Sequence, residues 1–245
     1  MRTCAVLVLV AALAPDASAQ PPGLPPVAYP PIPEVAQRIV DFVPAGWRLE
    51  HAAHGRLDAD DRDDALLVLR MENHGNIVQN EGFGPDRFDT NPRMLVAAFA
   101  VEGGYRRALV DHALIPRPEV PVFDDYLQDD PAAAIEIHPN RSVSVRLHSW
   151  ASAGSWQTRQ VRFTFRHQDG CFRLVGYDDH EMHRGSMERR ETSVNYLTGR
   201  AWVETGSMEH AAAGPRRWSR LDPNPVVCIG EVGNGFEYRP PVEAD

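Results

Sequence analysis

The chain contains no lysine, because all 25 of its basic residues are arginine. Chemistry that depends on lysine is therefore excluded, including pyridoxal Schiff bases, the phosphate-loop lysine, the protein-kinase strand lysine and serine–lysine acylation pairs. The 34 acidic residues exceed the basic ones and give a formal net charge of −9. This balance argues against nucleic acid as a partner, because an acidic protein is repelled by phosphate backbones.

Long hydrophobic runs are also scarce, and the clearest one lies at residues 4–14, behind Arg2 and ahead of Pro15. Together with the small residues Ala17 and Ala19, this run predicts a secretory signal peptide over residues 1–19, cleaved before Gln20. A membrane anchor, the alternative, requires roughly 20 apolar residues. We therefore expect a secreted or periplasmic protein with no membrane span.

Cysteine is rare, and after signal cleavage the chain keeps only Cys171 and Cys228. Two thiols in an oxidising compartment can pair, which would tie the predicted central sheet to the C-terminal tail. Two buried free thiols are the alternative, because sequence does not give the distance between the Cα atoms. We predict the disulfide.

The mature chain begins with a proline-rich segment, residues 20–33, which predicts an extended linker. Val35, Ile39 and Phe42 follow at helical spacing and predict one short N-terminal helix. We expect a single β-rich domain over residues 34–245, ending in a polar C-terminal tail.

Beyond the predicted helix, apolar and polar residues alternate with the period of two that is typical of strands. The predicted strands are residues 47–50, 65–71, 94–101, 105–111, 134–138, 142–148, 160–166, 171–177, 193–197 and 201–204. Turn-forming residues separate them, above all at 167–170 and 198–200. No segment of crossover-helix length intervenes, so the sequence predicts a mainly β fold, α+β by strict count, built as an antiparallel β-meander.

One loop carries a motif whose residue types and spacing suit metal binding. Residues 55–64 contain five aspartates and lead into the apolar strand at 65–69. Carboxylates at alternate loop positions can converge on one calcium ion, which takes six to eight oxygen ligands.

This arrangement, a glycine followed by an aspartate-rich loop and then a short apolar strand, resembles the repeat loop of FG-GAP and VCBS-type proteins. The pattern of that loop is D-x-[DN]-x-D-G-x-x-D. The resemblance implies calcium in the loop and a β-rich fold used in adhesion or ligand binding. Residues 154–156, 163–166, 172–178 and 192–199 resemble a class of uncharacterised secreted bacterial proteins that carry one such loop. That class has no assigned activity, so the resemblance implies a fold more than a function.

The motif places Asp58, Asp60 and Asp64 at its third, fifth and ninth positions, and Arg62 would offer its backbone carbonyl at the seventh. Two positions depart from it, since Arg56 replaces the first carboxylate and Asp61 replaces the turn glycine. We therefore expect a degenerate calcium loop that mainly shapes a turn, with calcium binding as the alternative.

Two other groups of residues were candidates for chemistry. His180 and His183 lie within Asp178-Asp179-His180-Glu181-Met182-His183, but their three-residue spacing differs from that of a zinc-protease helix, and a polar loop face is the simpler interpretation. Trp150 and Trp156 flank a small-residue turn and would suit a sugar-stacking platform, or simply pack at strand ends.

The sequence therefore predicts an exported, non-enzymatic binding or structural module of the cell envelope, with an unknown envelope or extracellular ligand. The alternative is a secreted hydrolase that cleaves glycan with paired carboxylates. A deep cleft with two carboxylates would favour the hydrolase, and an open sheet face with shallow grooves would favour the binding module.

Overall fold

The computed structural model describes residues 23–128, 131–209 and 214–242, so the predicted signal peptide at residues 1–19 lies outside the described residues. The described chain is mainly β, as predicted. Its strands are β1 (Val35–Ala36), β2 (Trp47–Gly55), β3 (Asp64–Met71), β4 (Ile77–Gln79), β5 (Arg87–Asp89), β6 (Arg93–Val101), β7 (Gly104–Asp111), β8 (Ile135–Ile137), β9 (Ser142–Trp150), β10 (Gln157–Gln168), β11 (Cys171–His183), β12 (Glu188–Asn195), β13 (Arg200–Ser207) and β14 (Arg217–Arg220).

Helices are short. The predicted N-terminal helix is limited to a single 3-10 turn, Ile39–Phe42, because the residues before it pair as β1 with the edge of β7. One-turn helices α1 (Pro131–Ala134) and α2 (Ile229–Val232) complete the list, with a second 3-10 turn at His74–Asn76. No helix in the described ranges is long and apolar enough to cross a membrane.

All strand pairings are antiparallel. One sheet has five strands in the order β1-β7-β6-β3-β2, and β4 pairs with β5 in a separate two-stranded ribbon. The larger sheet is a seven-stranded meander in the order β14-β13-β12-β11-β10-β9-β8. Its central hairpin, β10–β11, turns at Asp169-Gly170 as the sequence predicts, with φ angles of 51° and 82°. Both central residues of this tight turn need a positive φ, which suits an Asp-Gly pair.

The two large sheets pack face to face. Their shared core joins Val68 and Leu95 of the five-stranded sheet to Val145, Phe163 and other inward residues of the seven-stranded sheet. Inward residues lie at every second position of β10, which explains the alternation of Val161-Arg162-Phe163-Thr164-Phe165 in the sequence.

The other face of the five-stranded sheet is covered by the described residues that precede β2, 23–46, which we call the N-terminal segment. Ile32 and Phe42 of this segment are buried in a second apolar cluster against Leu67 and Val96 of the sheet. Arg107 donates a hydrogen bond to the carbonyl of Ile32. The proline-rich segment therefore takes part in the fold from at least Ile32 onward.

The C-terminal segment packs against the same sandwich. Ile229 and Val232 are buried in the main core, and the hydroxyls of Tyr196 and Tyr238 lie 2.6 Å apart. The predicted disulfide is confirmed, since Cys171 and Cys228 are bonded with Cα atoms 6.0 Å apart. It joins the start of β11 to the residue that precedes α2.

Candidate functional site

The aspartate-rich loop connects β2 to β3 and brings the predicted carboxylates together. One carboxylate oxygen each from Asp58, Asp60 and Asp64 lies within 4.8 Å of the others. Asp64 is buried and accepts hydrogen bonds from the amides of Leu57 at 2.7 Å, Ala100 at 2.8 Å and Asp58 at 3.2 Å. Burial raises the pKa of Asp64, and the amide hydrogen bonds oppose that rise.

The rest of this loop is held in place by hydrogen bonds and ion pairs between its own residues. The amide of Asp60 donates to Asp58, and both the amide and the guanidinium of Arg62 donate to Asp60. Arg56 and Asp61, the two departures from the motif, pair with each other at 2.8 Å. Hydrogen bonds within the loop therefore account for its turn conformation.

His180 and His183 do not form a ligand pair. Strand β11 continues to His183, beyond the predicted end at Tyr177, so a three-residue spacing places the two side chains on opposite faces of the sheet. The Nδ1 atom of His180 lies 3.9 Å from Glu191, whereas Nδ1 of His183 accepts a hydrogen bond from the amide of Ser186. The predicted polar loop at this position is therefore wrong, and the side chains belong to a strand.

Trp150 and Trp156 lie together around Arg184. The guanidinium carbon of Arg184 is 4.6 Å from the ring centre of Trp150 and 5.8 Å from that of Trp156. Arg184 also donates to the carbonyls of Ala151 and Ser155, which fixes the turn between β9 and β10. Trp156 remains 64% exposed. We call Trp150, Trp156 and Arg184 the first tryptophan–arginine cluster.

A second tryptophan–arginine cluster, which the sequence analysis did not find, lies on β13 and β14. Arg216 stacks over Trp202 at 4.2 Å and Arg200 over Trp218 at 4.8 Å. Trp202 and Trp218 are paired across the two strands, and Trp218 is 57% exposed. The sequence does hold a signal for it, since Arg200-Ala201-Trp202 and Arg216-Arg217-Trp218 repeat a spacing that puts arginine and tryptophan on one face of a strand.

Both clusters belong to the outer face of the seven-stranded sheet, the face turned away from the core. The cross-strand register gives this face alternate residues of each strand, so Trp150 on β9 and Trp202 on β13 share it. Four strand spacings separate them across the sheet, about 19 Å at about 4.8 Å per strand, and Trp202 lies four residues along β13 from Gly206, the residue in line with Trp150. At about 3.3 Å per residue, the Cα atoms of Trp150 and Trp202 are therefore about 23 Å apart. Between the clusters runs a shallow groove of about 300 Å³. Its floor includes His148, Gln160, His180 and Glu191.

The outer face carries more positive than negative groups. The register assigns it the arginines Arg146, Arg162, Arg166, Arg173, Arg189, Arg200, Arg216 and Arg220, against the carboxylates Glu136, Asp178, Glu191 and Glu204. Arg189 bonds both Glu191 and Glu204. The hydrogen bond from Arg216 lowers the pKa of Glu204, with a further contribution from Arg189. Burial lowers the pKa of His148, and the charge of Asp124 partly opposes this shift.

Comparisons of the chain with protein-family models, with curated proteins and with solved structures find no match. Function is therefore inferred from the geometry and charge of the sites themselves.

Proposed function

We propose that this chain is an exported, non-enzymatic binding module that holds an acidic glycan chain across the outer face of its seven-stranded sheet. The observation that carries the proposal is the pair of tryptophan–arginine clusters on a sheet face that the rest of the described chain leaves open.

Coverage of the sheets supports this choice of surface. The five-stranded sheet is packed against the seven-stranded sheet on one face and against the N-terminal segment on the other. Antiparallel sheets commonly leave one face to solvent, and that face is normally polar. The outer face here departs from this pattern because it displays Trp218, a large apolar side chain that a monomer gains nothing by exposing.

The chemistry of the clusters supports a sugar ligand. Flat indole rings offer apolar surface for the C–H faces of sugar rings, as they do for other amphipathic groups. Arginine stacked on one side of an indole fixes the ring and leaves guanidinium donors at its edge, which suit carboxylate and sulfate oxygens. Two such clusters about 23 Å apart, by strand spacing and register, fit an extended ligand better than a single small molecule.

The charge of the outer face indicates that its glycan ligand is acidic. The chain as a whole carries −9, yet this face has eight arginines against four carboxylates. A locally positive face on an acidic protein attracts anionic ligands selectively, because the remaining surface repels them.

A glycan hydrolase, the alternative, needs one carboxyl group with a raised pKa to act as the acid and a second carboxylate beside it. Glu191 and Glu204 are paired across strands on this face, which is the arrangement a hydrolase would use. Both accept hydrogen bonds from Arg189, and the pKa of Glu204 is lowered rather than raised. These contacts favour binding over hydrolysis.

Export is inferred from the signal-peptide pattern. The Cys171–Cys228 disulfide is compatible with an extracellular protein, because such bonds persist in oxidising compartments.

The test uses the chain from Gln20 onward, titrated with polygalacturonate and with heparin, and with fully methyl-esterified polygalacturonate as the uncharged counterpart. We expect binding to at least one acidic polymer, and the Trp202→Ala/Trp218→Ala double variant to bind it at least about tenfold more weakly, the loss of roughly 1.4 kcal/mol expected from removing stacked rings. Phe83→Ala is the control, because Phe83 is even more exposed than Trp218, 79% against 57%, but lies on the loop between β4 and β5.

Three results would contradict the proposal. Failure to bind either acidic polymer would reject a glycan-binding face. Equal binding of the methyl ester would reject charge selection. Release of new reducing ends during the titration would replace the binding module with the hydrolase.

A further inference from the structure

A separate groove of about 560 Å³ lies where three turns meet at one end of the sandwich. Its walls come from the β2–β3 loop, the β8–β9 turn and the β10–β11 turn. We propose that this groove, which we call the three-turn groove, binds a tetrahedral oxyanion, the phosphate or sulfate group of a small ligand, between Arg141 and Arg166. None of its lining residues belongs to either tryptophan–arginine cluster, although the register places Arg166 at the end of the same outer face.

The first observation concerns Arg166, whose buried Nε atom has no hydrogen-bond acceptor within the described ranges. It is paired in register with Ser142 on one side and with Arg173 on the other, so two guanidinium groups stand opposite each other. Arg173 is neutralised by Asp169 at 2.7 Å. Arg166 forms no ion pair within the described ranges, and its Nε atom is buried with no hydrogen-bond partner there. A buried donor left in this state costs free energy that an anion would recover.

Arg141 occupies a backbone conformation that favours glycine. Its φ angle is 64°, in the left-handed region, where a side chain on Cβ is unfavourable. The turn is fixed by a hydrogen bond from its amide to His138 and by two from Ser142 to the side chain of Asn140. The chain therefore presents an arginine side chain to the groove at a position where glycine would be less strained.

The remaining walls are consistent with an anion. His167 lies edge-on to Phe99, with ring centres 4.8 Å apart, and Asn140 and Gln168 add amide groups. Of the two carboxylates in the walls, Asp169 is neutralised by Arg173, whereas Asp58 accepts from the amide of Asp60 and keeps its charge. Within the described ranges, two guanidinium groups without an ion pair then face one uncompensated carboxylate, and their planar forks match phosphate and sulfate oxygens.

The test is a calorimetric titration of the chain from Gln20 onward with inorganic phosphate, inorganic sulfate and acetate. We expect one phosphate or sulfate per chain and acetate at least about tenfold weaker, because it lacks the third oxygen. Arg166→Gln and Arg141→Gly should each weaken binding at least about tenfold. Arg87→Gln, on the exposed ribbon strand β5, should leave it unchanged.

Arg141→Gly also separates binding from folding. Glycine suits the left-handed backbone, so this variant should unfold at a temperature no lower than the parent while it loses the anion. Absence of phosphate and sulfate binding by the parent would overturn the proposal, as would undiminished binding by both variants or acetate binding of equal strength. None of these outcomes depends on whether the outer face binds glycan.

Discussion

Strand β3 of the five-stranded sheet is buried on both faces from Asp64 to Leu69, whereas β10 of the seven-stranded sheet alternates between buried and accessible side chains. The difference follows from what covers each sheet. The five-stranded sheet lies between the larger sheet and the N-terminal segment, and the larger sheet has one open face. The same antiparallel architecture therefore gives one sheet a structural role and leaves the other a surface available for a ligand.

The two sheets also differ in the contacts that their arginine side chains make. Arg93 at the start of β6 is only 2% exposed, and it donates to Glu50 at 2.5 Å and to Asp125 at 2.7 Å. On the outer face, Arg200 and Arg216 stack on tryptophan rings, and Arg216 and Arg189 also pair with Glu204. A charged side chain in the covered sheet needs a close partner of opposite charge, because water cannot solvate it there. An arginine on the open face is solvated by water and stays accessible to a ligand.

The largest effect should come from uncovering the five-stranded sheet. Phe42 of the N-terminal segment is fully buried against the five-stranded sheet, so Phe42→Ala should destabilise the protein by roughly 3–5 kcal/mol through lost burial and the cavity left behind. Trp218→Ala on the open face should cost less than about 1 kcal/mol, because its ring is already exposed to water. Urea unfolding measures both, and equal losses would show that the two sheets do not differ as described.

Glu50→Gln tests the buried charge network. Removing one partner of a buried ion pair costs roughly 3–5 kcal/mol. The exposed Glu72, which lies 3.6 Å from Arg48, is the control, and Glu72→Gln should cost less than about 1 kcal/mol. A loss of similar size from both variants would mean that burial of the network adds nothing.

The same network predicts a pH dependence. Burial would raise the pKa of Glu50, but the hydrogen bond from Arg93 and the charges of Arg93, Arg70 and Arg48 outweigh it and hold the pKa below its ordinary value. Glu50 therefore contributes stability above the ordinary glutamate pKa, and this stability is lost as pH falls through the lower pKa of the folded state. Unfolding curves from pH 7 downward should converge for the parent and Glu50→Gln, and parallel curves would contradict this.

The disulfide tests how far the seven-stranded sheet depends on the C-terminal segment. Cys171 and Cys228 are 57 residues apart, and opening a loop of this size by Cys171→Ser/Cys228→Ser should cost roughly 2–4 kcal/mol. Non-reducing peptide mapping checks the pairing, and denaturant unfolding checks the cost. An unchanged free energy of unfolding would show that packing of Ile229 and Val232 alone secures this segment.

The smallest effect concerns calcium in the loop between β2 and β3. The carboxylates of Asp58, Asp60 and Asp64 already accept amide hydrogen bonds, so we expect calorimetry to detect weak calcium binding or none. Arg56→Asp should strengthen binding, since it replaces a cation with a carboxylate at the first motif position. Micromolar affinity in the parent, abolished by Asp60→Ala, would show a working calcium site.

Local patterning predicted much of the fold. Alternation in Val161-Arg162-Phe163 and turn chemistry at Asp169-Gly170 identified the β10–β11 hairpin, since both depend only on neighbouring residues. The end of β11 was missed because polar residues 178–183 lack an apolar alternation, and their pairing with β10 and β12 extends the strand. The short helix before Phe42 was overestimated because pairing with β7 competes with it.

The sequence by itself determined the mainly β class, turns such as that at Asp169-Gly170, the absence of lysine chemistry and the possibility of one disulfide, because each follows from composition or from residues close in the chain. Only the tertiary structure decided which face of β11 holds His180 and that Arg141 lies in one groove with Arg166. It also decided that Trp202 lies beside Trp218. These placements depend on cross-strand register and on packing between distant segments, and a shift of one residue in that register would turn each strand side chain to the opposite face.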